Sequence, residues 1–143
     1  MFKAFENRQN IQQMVGMFQR EVAQRACSPK GNKTYGKLSV LLQAFYQPEY
    51  LFDVGPQEFE PPPKVHSGVI RLVRKQQDPT IESVKRFKAV VKAAFNLRRK
   101  KLSNSLKQFV FKDNETVIDL LTKRPEHLDY NDFIFLSHQI VPS

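Results

Sequence analysis

The chain has few of the residues that build several common kinds of site. Cys27 is the only cysteine among 143 residues, which excludes a disulfide framework and is typical of a reducing compartment. The five glycines are scattered and no Gly-x-Gly pair occurs, so a glycine-rich nucleotide-binding loop is missing from this sequence. The three histidines lack the spacing of metal ligands, and we therefore expect no metal site.

Long hydrophobic stretches are also lacking. No run of about 18 apolar residues occurs, so we expect no membrane-spanning helix and no membrane partner. The first ten residues are polar and do not resemble the apolar segment of a signal peptide. Hydrophobic residues still make up 41% of the chain and aromatic residues 11%, which is enough for a packed core. We expect a globular, cytoplasmic protein.

Positive charge is abundant, and it is confined to one part of the chain. The sequence has 23 basic and 14 acidic residues, a net charge of +9. From Lys64 to Lys107 there are 13 basic residues and two acidic ones, whereas the rest of the chain has 10 basic and 12 acidic residues. Like charges in such a block repel one another unless a polyanion is near, so the block favours a nucleic-acid partner. A merely solvated basic surface is the main alternative. An anionic membrane surface ranks third and is not the expected partner, because no helix combines this charge with a large aromatic face.

Hydrophobic spacing predicts an α/β unit in the first half of the chain. The short apolar run 14–18 is typical of a strand that is buried on both faces. Further strands are predicted at 50–54 and 66–73, and in the latter we expect Val69, Ile70 and Leu72 to pack together. Helices are predicted at 1–6, at 20–27 and from about residue 37 to a point before Pro48.

After a predicted linker at 76–79, the chain has the 3.6-residue periodicity of helices alone. The first of these helices is expected to start near Thr80 or Ser83. Asp113 or Asn114, and later Asp129, are the residue types that cap helix N-termini. The prediction for this half is therefore a small all-α unit.

Two segments stand out for their chemistry. In Phe59–Val65, FEPPPKV, three consecutive prolines fix an extended backbone and hold the Phe59 ring at a set angle. Such a ring suits the stacking of an extruded base, and a plug in the core is the alternative. In Phe95–Leu106, FNLRRKKLSNSL, four adjacent cations are expected to lie within a helix, around most of one turn. This pattern suits phosphate binding, and a solvated basic turn is the alternative.

These segments resemble, in sequence and in order, the ribosomal RNA adenine N6,N6-dimethyltransferases that modify small-subunit RNA. The matching stretches are QREVA (Gln19–Ala23), YGKLSV (Tyr35–Val40), FEPPPKVHS (Phe59–Ser67) and FNLRRKKLSNSL (Phe95–Leu106). The resemblance implies an α/β fold followed by an all-α part. Residues 1–76 would form the rear portion of a Rossmann-like class I methyltransferase sheet, and residues 77–143 a helical RNA-docking domain.

The resemblance also implies roles for individual residues. Phe59 would stack on the target adenine as the catalytic-site residue. The RNA-binding residues would be Arg20, Lys37, Lys64, Arg98, Arg99, Lys100, Lys101 and Asn104. The complete enzyme would transfer methyl groups from S-adenosylmethionine to N6 of two adjacent adenines in the 3′-terminal hairpin of small-subunit (16S) rRNA, during ribosome biogenesis.

One departure from the family pattern limits what we expect of this chain. The family's glycine-rich S-adenosylmethionine loop, its acidic ribose-binding residue and its Asn-Leu-Pro-Tyr-type motif are not found in the sequence. We therefore expect a truncated enzyme that binds rRNA weakly, neither binds the cofactor nor catalyses methylation, and compensates for its incomplete sheet by self-association or rearrangement. A natural non-catalytic RNA-binding or ribosome-assembly module, and a fragment of a large-subunit resistance methyltransferase, are the alternatives.

Overall fold

The computed structural model describes residues 12–58, 66–75 and 79–141. Its strands are β1 (Gln13–Gln19), β2 (Tyr46–Val54) and β3 (Ser67–Arg74). Its α-helices are α1 (Arg20–Cys27), α2 (Lys37–Phe45), α3 (Val84–Asn96), α4 (Leu102–Ser105), α5 (Glu115–Leu121) and α6 (Tyr130–His138). Short 3-10 turns occupy Pro56–Glu58 and Pro125–His127. The prediction of an α/β unit followed by helices is confirmed, and the predicted helix at 1–6 lies outside the described residues.

The three strands form one sheet in the order β1-β3-β2, and β3 is antiparallel to both neighbours. β1 and β2 therefore run parallel to each other, and both end where β3 begins. β2 starts at Tyr46, four residues earlier than predicted, and it includes Pro48. A proline is tolerated there because β2 lies at the edge of this sheet, where a strand can lack one N–H donor.

The burial of the strands differs from prediction in two places. β1 is not buried on both faces, because Val15 and Met17 are about half exposed. In β3, Ile70 and Leu72 are fully buried, whereas Val69 lies on the opposite face. Successive side chains of a strand point to opposite faces, so Val69 cannot pack with its neighbour Ile70. The described helices that pack on this sheet cover only the face formed by Ile70 and Leu72.

Helix α1 packs so closely on the sheet that β3 requires a glycine. Ala23 and Ala26 of α1 are fully buried. A Cβ atom added to Gly68 would lie 3.0 Å from the Cβ of Ala23, and closer still to the Tyr50 hydroxyl. The contact with Tyr50 is closer than real Cβ atoms show, and the contact with Ala23 is tighter than most of them. Glycine at residue 68 therefore allows both Tyr50 and helix α1 to lie close to β3.

The helical half uses the side-chain caps expected from its sequence, with one shift. Ser83, and not Thr80, is the N-cap of α3, and its side chain accepts a hydrogen bond from the Arg86 N–H. Asn114 caps α5, and Asp129 caps α6 with a capping box. Each of these contacts links residues three apart, so a local sequence signal is enough to predict it.

A continuous hydrophobic core joins the two halves of the chain. Helix α3 packs against α2 and α6, and its Phe87, Val90 and Val91 are fully buried. The core extends from these residues to Ile70 and Leu72 of the sheet. Within the described residues, no helix is both long and apolar enough to cross a bilayer.

Candidate nucleic-acid interface

The predicted basic run lies in a turn between two helices. Helix α3 ends at Asn96, and residues 97–101 form the connection to α4. The Lys100 N–H donates to the Leu97 carbonyl over 2.9 Å, which closes the turn. The sequence predicted that the four cations of this run lie within a helix. They lie instead in the turn that comes after helix α3. Arg99, Lys100 and Lys101 project into solvent from this turn.

These cations line an open depression of about 510 Å³, which we call the basic depression. It is formed by Arg99, Lys100, Lys101, Ser103, Asn104, Lys107 and Arg124. Five of the seven residues carry a positive charge and none is acidic. Four residues predicted to bind RNA (Arg99, Lys100, Lys101 and Asn104) thus come together in one place. Cations grouped without acids produce a positive potential that attracts phosphates.

Arg124 joins the basic depression through tertiary structure, and the sequence pattern did not identify it. The Leu102 N–H donates to the Lys123 carbonyl over 2.9 Å, which fixes the segment after α5 against the start of α4. Arg124 lies outside the basic block 64–107, and acidic residues occur nearby in the sequence. No local signal distinguishes it from Lys123, which instead pairs with Asp119 over 3.7 Å.

Arg98, the first cation of the run, points away from the basic depression. Its guanidinium donates hydrogen bonds to the carbonyls of Lys33, over 2.7 Å, and of Asn32, over 3.3 Å. Its guanidinium carbon lies 6.0 Å from the centre of the Phe95 ring. The side chain therefore bridges the helical half of the chain and the loop that precedes α2.

Lys37 lies close to this bridge. It is the first residue of α2, and its side chain is exposed. A Cβ atom on the preceding residue, Gly36, would lie 3.8 Å from a nitrogen of Arg98. The fold thus places Lys37 and the Arg98 turn at neighbouring positions, although 61 residues separate them in the sequence.

Arg20 occupies a different position, at the end of the sheet where β1 and β2 finish. Its backbone N–H donates to the His66 carbonyl over 2.9 Å, and its side chain is exposed. The nearby Tyr50 hydroxyl bonds to Asp53. Burial, followed by this hydrogen bond and the Asp53 charge, raises the pKa of Tyr50 to about 12, and the Arg20 charge opposes the rise. The phenol therefore stays protonated at neutral pH.

Phe59 and Lys64 lie outside the described residues, but the two ends of their segment are described. Ser67, the first residue of β3, is paired with both Gln19 of β1 and Val54 of β2. The segment that contains the proline run therefore starts and finishes at the same end of the sheet as Arg20. Arg20 therefore lies beside His66, the described residue that follows this segment in the sequence.

The remaining reactive side chains do not assemble into a catalytic or metal site within the described part of the chain. Burial raises the pKa of the Cys27 thiol to about 11, so the thiol is protonated and a poor nucleophile at neutral pH. The imidazole of His138 accepts a hydrogen bond from the Glu82 N–H over 3.1 Å. Among the described residues, no three His, Cys, Asp or Glu side chains come together as metal ligands would.

Comparison with proteins of known sequence shows close relatives. The family model described as ribosomal RNA adenine dimethylase matches residues 1–131. The chain is 49% identical over 140 residues to ribosomal RNA small subunit methyltransferase A of Flavobacterium johnsoniae, covering 98% of this chain and 54% of the relative. It is 48% identical to the protein of that name from Bacteroides fragilis, covering 97% and 52%. The chain thus spans about half the length of the curated relatives it matches.

Comparison with solved structures supports the fold. A dimethyladenosine transferase from Plasmodium falciparum superposes with a TM-score of 0.77 at 22% identity, covering 97% of this chain and 62% of that one. The 23S rRNA methyltransferase ErmE superposes with a TM-score of 0.60 at 20% identity, covering 91% and 55%. On the strength of the family match and the sequence identities, the chain belongs to the ribosomal RNA adenine dimethylase family, whose members are methyltransferases.

Proposed function

We propose that this chain is the RNA-docking part of an rRNA adenine dimethyltransferase. The complete enzyme transfers methyl groups from S-adenosylmethionine to N6 of two adjacent adenines in the 3′-terminal hairpin of small-subunit rRNA. The names of the curated relatives support a small-subunit substrate over a large-subunit one. This RNA partner is also the reason for proposing a cytoplasmic location.

The observation that carries the proposal is the basic depression. Five cations around one open concavity can each neutralise a phosphate, and every neutralised phosphate releases condensed counterions from the RNA. If all five contact duplex phosphates, the logarithm of the binding constant falls with the logarithm of salt concentration with a slope of about −4.5. Asn104 and Ser103 are hydrogen-bond donors at the same surface, suited to phosphate or ribose oxygens.

The described residues do not fit a binding site for S-adenosylmethionine. The sequence has no Gly-x-Gly turn. Of the glycines in the described residues, Gly31 alone has a positive φ, 86°, and it lies in an exposed basic loop. The basic depression is lined by cations and would repel the positively charged sulfonium. We propose that the cofactor is held by the part of the enzyme that the longer relatives possess, and that this chain alone is not a catalyst.

Phe59 is proposed to stack on the target adenine, with Lys64 and Arg20 binding the RNA around it. Support comes from the register of the strands, which places Val54 and Ser67, described residues before and after 59–65, at the end of the sheet where Arg20 lies. An adenine must leave its helix before its amine can be methylated, and an aromatic ring stabilises the extruded base by stacking. Lys37 is proposed to contact phosphates between this end and the helical half.

The incomplete sheet supports a further part of the proposal, self-association of the chain. One face of the sheet exposes several large apolar side chains, namely Val15, Met17, Phe52 and Val73. An apolar face of this kind is stabilised when another surface covers it. The division into an α/β part at 1–76 and a helical RNA-docking domain at 77–143 remains a proposal as well.

The test uses the chain and pre-small-subunit ribosomal particles that lack the adenine modification. We expect salt-dependent binding of the particles, with no transfer of labelled methyl groups from S-adenosylmethionine. Methylation by the isolated chain would contradict the proposed absence of catalysis. Binding that does not depend on salt would contradict the role of the basic depression.

A further inference from the structure

The loop Ser28–Thr34, which we call the basic loop, is hydrogen-bonded to Arg98 and to Glu126, which lie close in sequence to Arg99 and Arg124 of the basic depression, and it carries two lysines of its own. We propose that Arg98 is a positioning residue that holds this loop in place, so that Lys30 and Lys33 bind RNA phosphates beside the basic depression. This inference rests on the proposed RNA-docking function. It adds a new contact element and changes the expected role of Arg98.

The position of Arg98 supports the inference because its donors are already engaged within the protein. One nitrogen of the guanidinium donates to the carbonyls of Lys33 and Asn32, over 2.7 and 3.3 Å. The next residue, Arg99, lines the basic depression. Arg98 therefore connects the wall of the depression directly to the backbone of the basic loop.

Two further hydrogen bonds hold the basic loop against the helical half. The Gly31 N–H donates to the Glu126 carbonyl over 2.7 Å. The buried Tyr35 hydroxyl, just after the loop, donates to the Leu128 carbonyl over 2.6 Å. Gly31 has a φ of 86°, a conformation that residues with a Cβ atom rarely adopt. The loop thus has one defined backbone path, and Glu126 lies two residues after Arg124 of the basic depression.

The two lysines of the basic loop are suited to an external anion. Both side chains are exposed, and neither forms an ion pair with an acidic side chain of the described residues. Lys30 lies near Asp132, where burial raises the carboxyl pKa and the lysine charge acts against that rise. The backbone of Lys33 is held in place because its carbonyl accepts a hydrogen bond from Arg98. A fixed backbone reduces the entropy lost when a flexible lysine binds phosphate.

Arginine suits residue 98 because of its reach and its shape. Its terminal nitrogen is one covalent bond farther from Cα than that of lysine, and its planar guanidinium lies near the Phe95 ring, whereas an ammonium is a compact charge on a flexible stem. Lysine at this position would keep the positive charge and lose the bridge. A residue that acts only as a phosphate ligand would tolerate the same change much better.

The experiment measures binding of the full chain to the 3′-terminal hairpin of small-subunit rRNA over a range of salt concentrations. The variants are Arg98→Lys, the double substitution Lys30→Ala with Lys33→Ala, and all three changes together. Arg25→Lys is the matched control, because it makes the same chemical change at an exposed arginine that pairs with Glu21 and does not line the basic depression. Hydrogen exchange at the Gly31 amide reports on the loop directly, and thermal unfolding shows that each variant is folded.

We expect the double alanine variant to reduce the salt slope by about 0.9 for each duplex phosphate that is no longer neutralised. Arg98→Lys should weaken binding by about fivefold in the wild-type background and by less than about twofold when both lysines are already absent. Arg98→Lys should also accelerate exchange at the Gly31 amide, whereas Arg25→Lys should change neither the RNA affinity nor this exchange rate.

Three results would overturn the inference. They are an Arg98→Lys variant that binds like wild type, an effect of this variant that is equally large without the two lysines, and an unchanged salt slope in the double alanine variant. In all three cases, salt-dependent binding by the wild type leaves the proposed function intact. Failure of the wild type to bind the hairpin refutes the proposed function itself.

Discussion

Replacing Arg124 by glutamine tests whether the basic depression binds RNA. Arg124 is exposed, and it lines the depression together with residues of the α3–α4 turn and of α4. Its backbone carbonyl accepts from the His127 N–H over 3.1 Å, a contact that does not involve the side chain. Glutamine therefore removes one positive charge from the surface that we propose to bind RNA, while the local backbone contacts are kept.

The size of the expected effect follows from counterion release. One phosphate contact on duplex RNA contributes about 0.9 to the slope of log K against log salt. At a salt concentration of about 0.15 M, this corresponds to about a fivefold change in affinity, or about 1 kcal/mol. Arg124→Gln should therefore bind about fivefold more weakly than wild type, with a slope that is less negative by about 0.9.

The chain offers a matched control one residue earlier. Lys123 carries the same charge, but it pairs with Asp119 over 3.7 Å on the surface of α5 and does not line the basic depression. Lys123→Gln changes the net charge by the same amount. A difference between the two variants therefore reports the position of the charge, and a long-range effect of net charge would be common to both.

The assay is a titration of fluorescently labelled hairpin RNA at four or more salt concentrations, which yields both affinity and slope. We expect Lys123→Gln to remain within about twofold of wild type. Equal losses for the two variants would refute the reasoning, because they would show that total charge and not the depression governs binding. An Arg124→Gln variant whose slope of log K against log salt equals that of wild type would also refute the reasoning.

Two further predictions concern stability and catalysis. Tyr35→Phe leaves the Leu128 carbonyl without its buried donor and should lower the free energy of unfolding, measured by urea denaturation, by about 1–3 kcal/mol. The control is Tyr130→Phe, at a partly exposed ring that contacts Lys75, and it should lower the free energy of unfolding by less than about 0.5 kcal/mol. Equal losses for the two tyrosines would contradict the importance of the buried bond. Phe59→Ala in the complete enzyme should sharply reduce turnover and leave RNA affinity nearly unchanged, as measured by single-turnover methylation and binding; a parallel fall in both quantities, or no change in either, would argue against stacking.

Much of the local structure was predictable because it depends on residues that are close in sequence. The helix at 20–27 has the predicted bounds, and the caps Asn114 and Asp129 bond to amides three residues ahead. The motif FNLRRKKLSNSL also identified four residues of the basic depression from their sequence alone. In each case the residues that carry the sequence signal are close in sequence to the residues that form the structure.

The errors arise where distant segments decide the outcome. The apolar run 14–18 forms a strand as predicted, but whether Val15 and Met17 are covered depends on what packs over them. The four cations at 98–101 look equivalent in sequence, yet the fold directs Arg98 to the carbonyls of Asn32 and Lys33, and the other three to the basic depression. Arg124 was missed for the same reason.

By itself, the sequence determined the family and the order of helices and strands, and it favoured the nucleic-acid partner that we propose, because composition, motif and periodicity are properties of the chain alone. Only the tertiary structure decided which cations face one another across the basic depression and which one is used inside the protein. The sequence shows that a residue is positively charged, but it does not show which groups its side chain faces. Its role depends on whether folding leaves it facing solvent, as at Arg124, or supplies a carbonyl within hydrogen-bonding distance, as at Arg98.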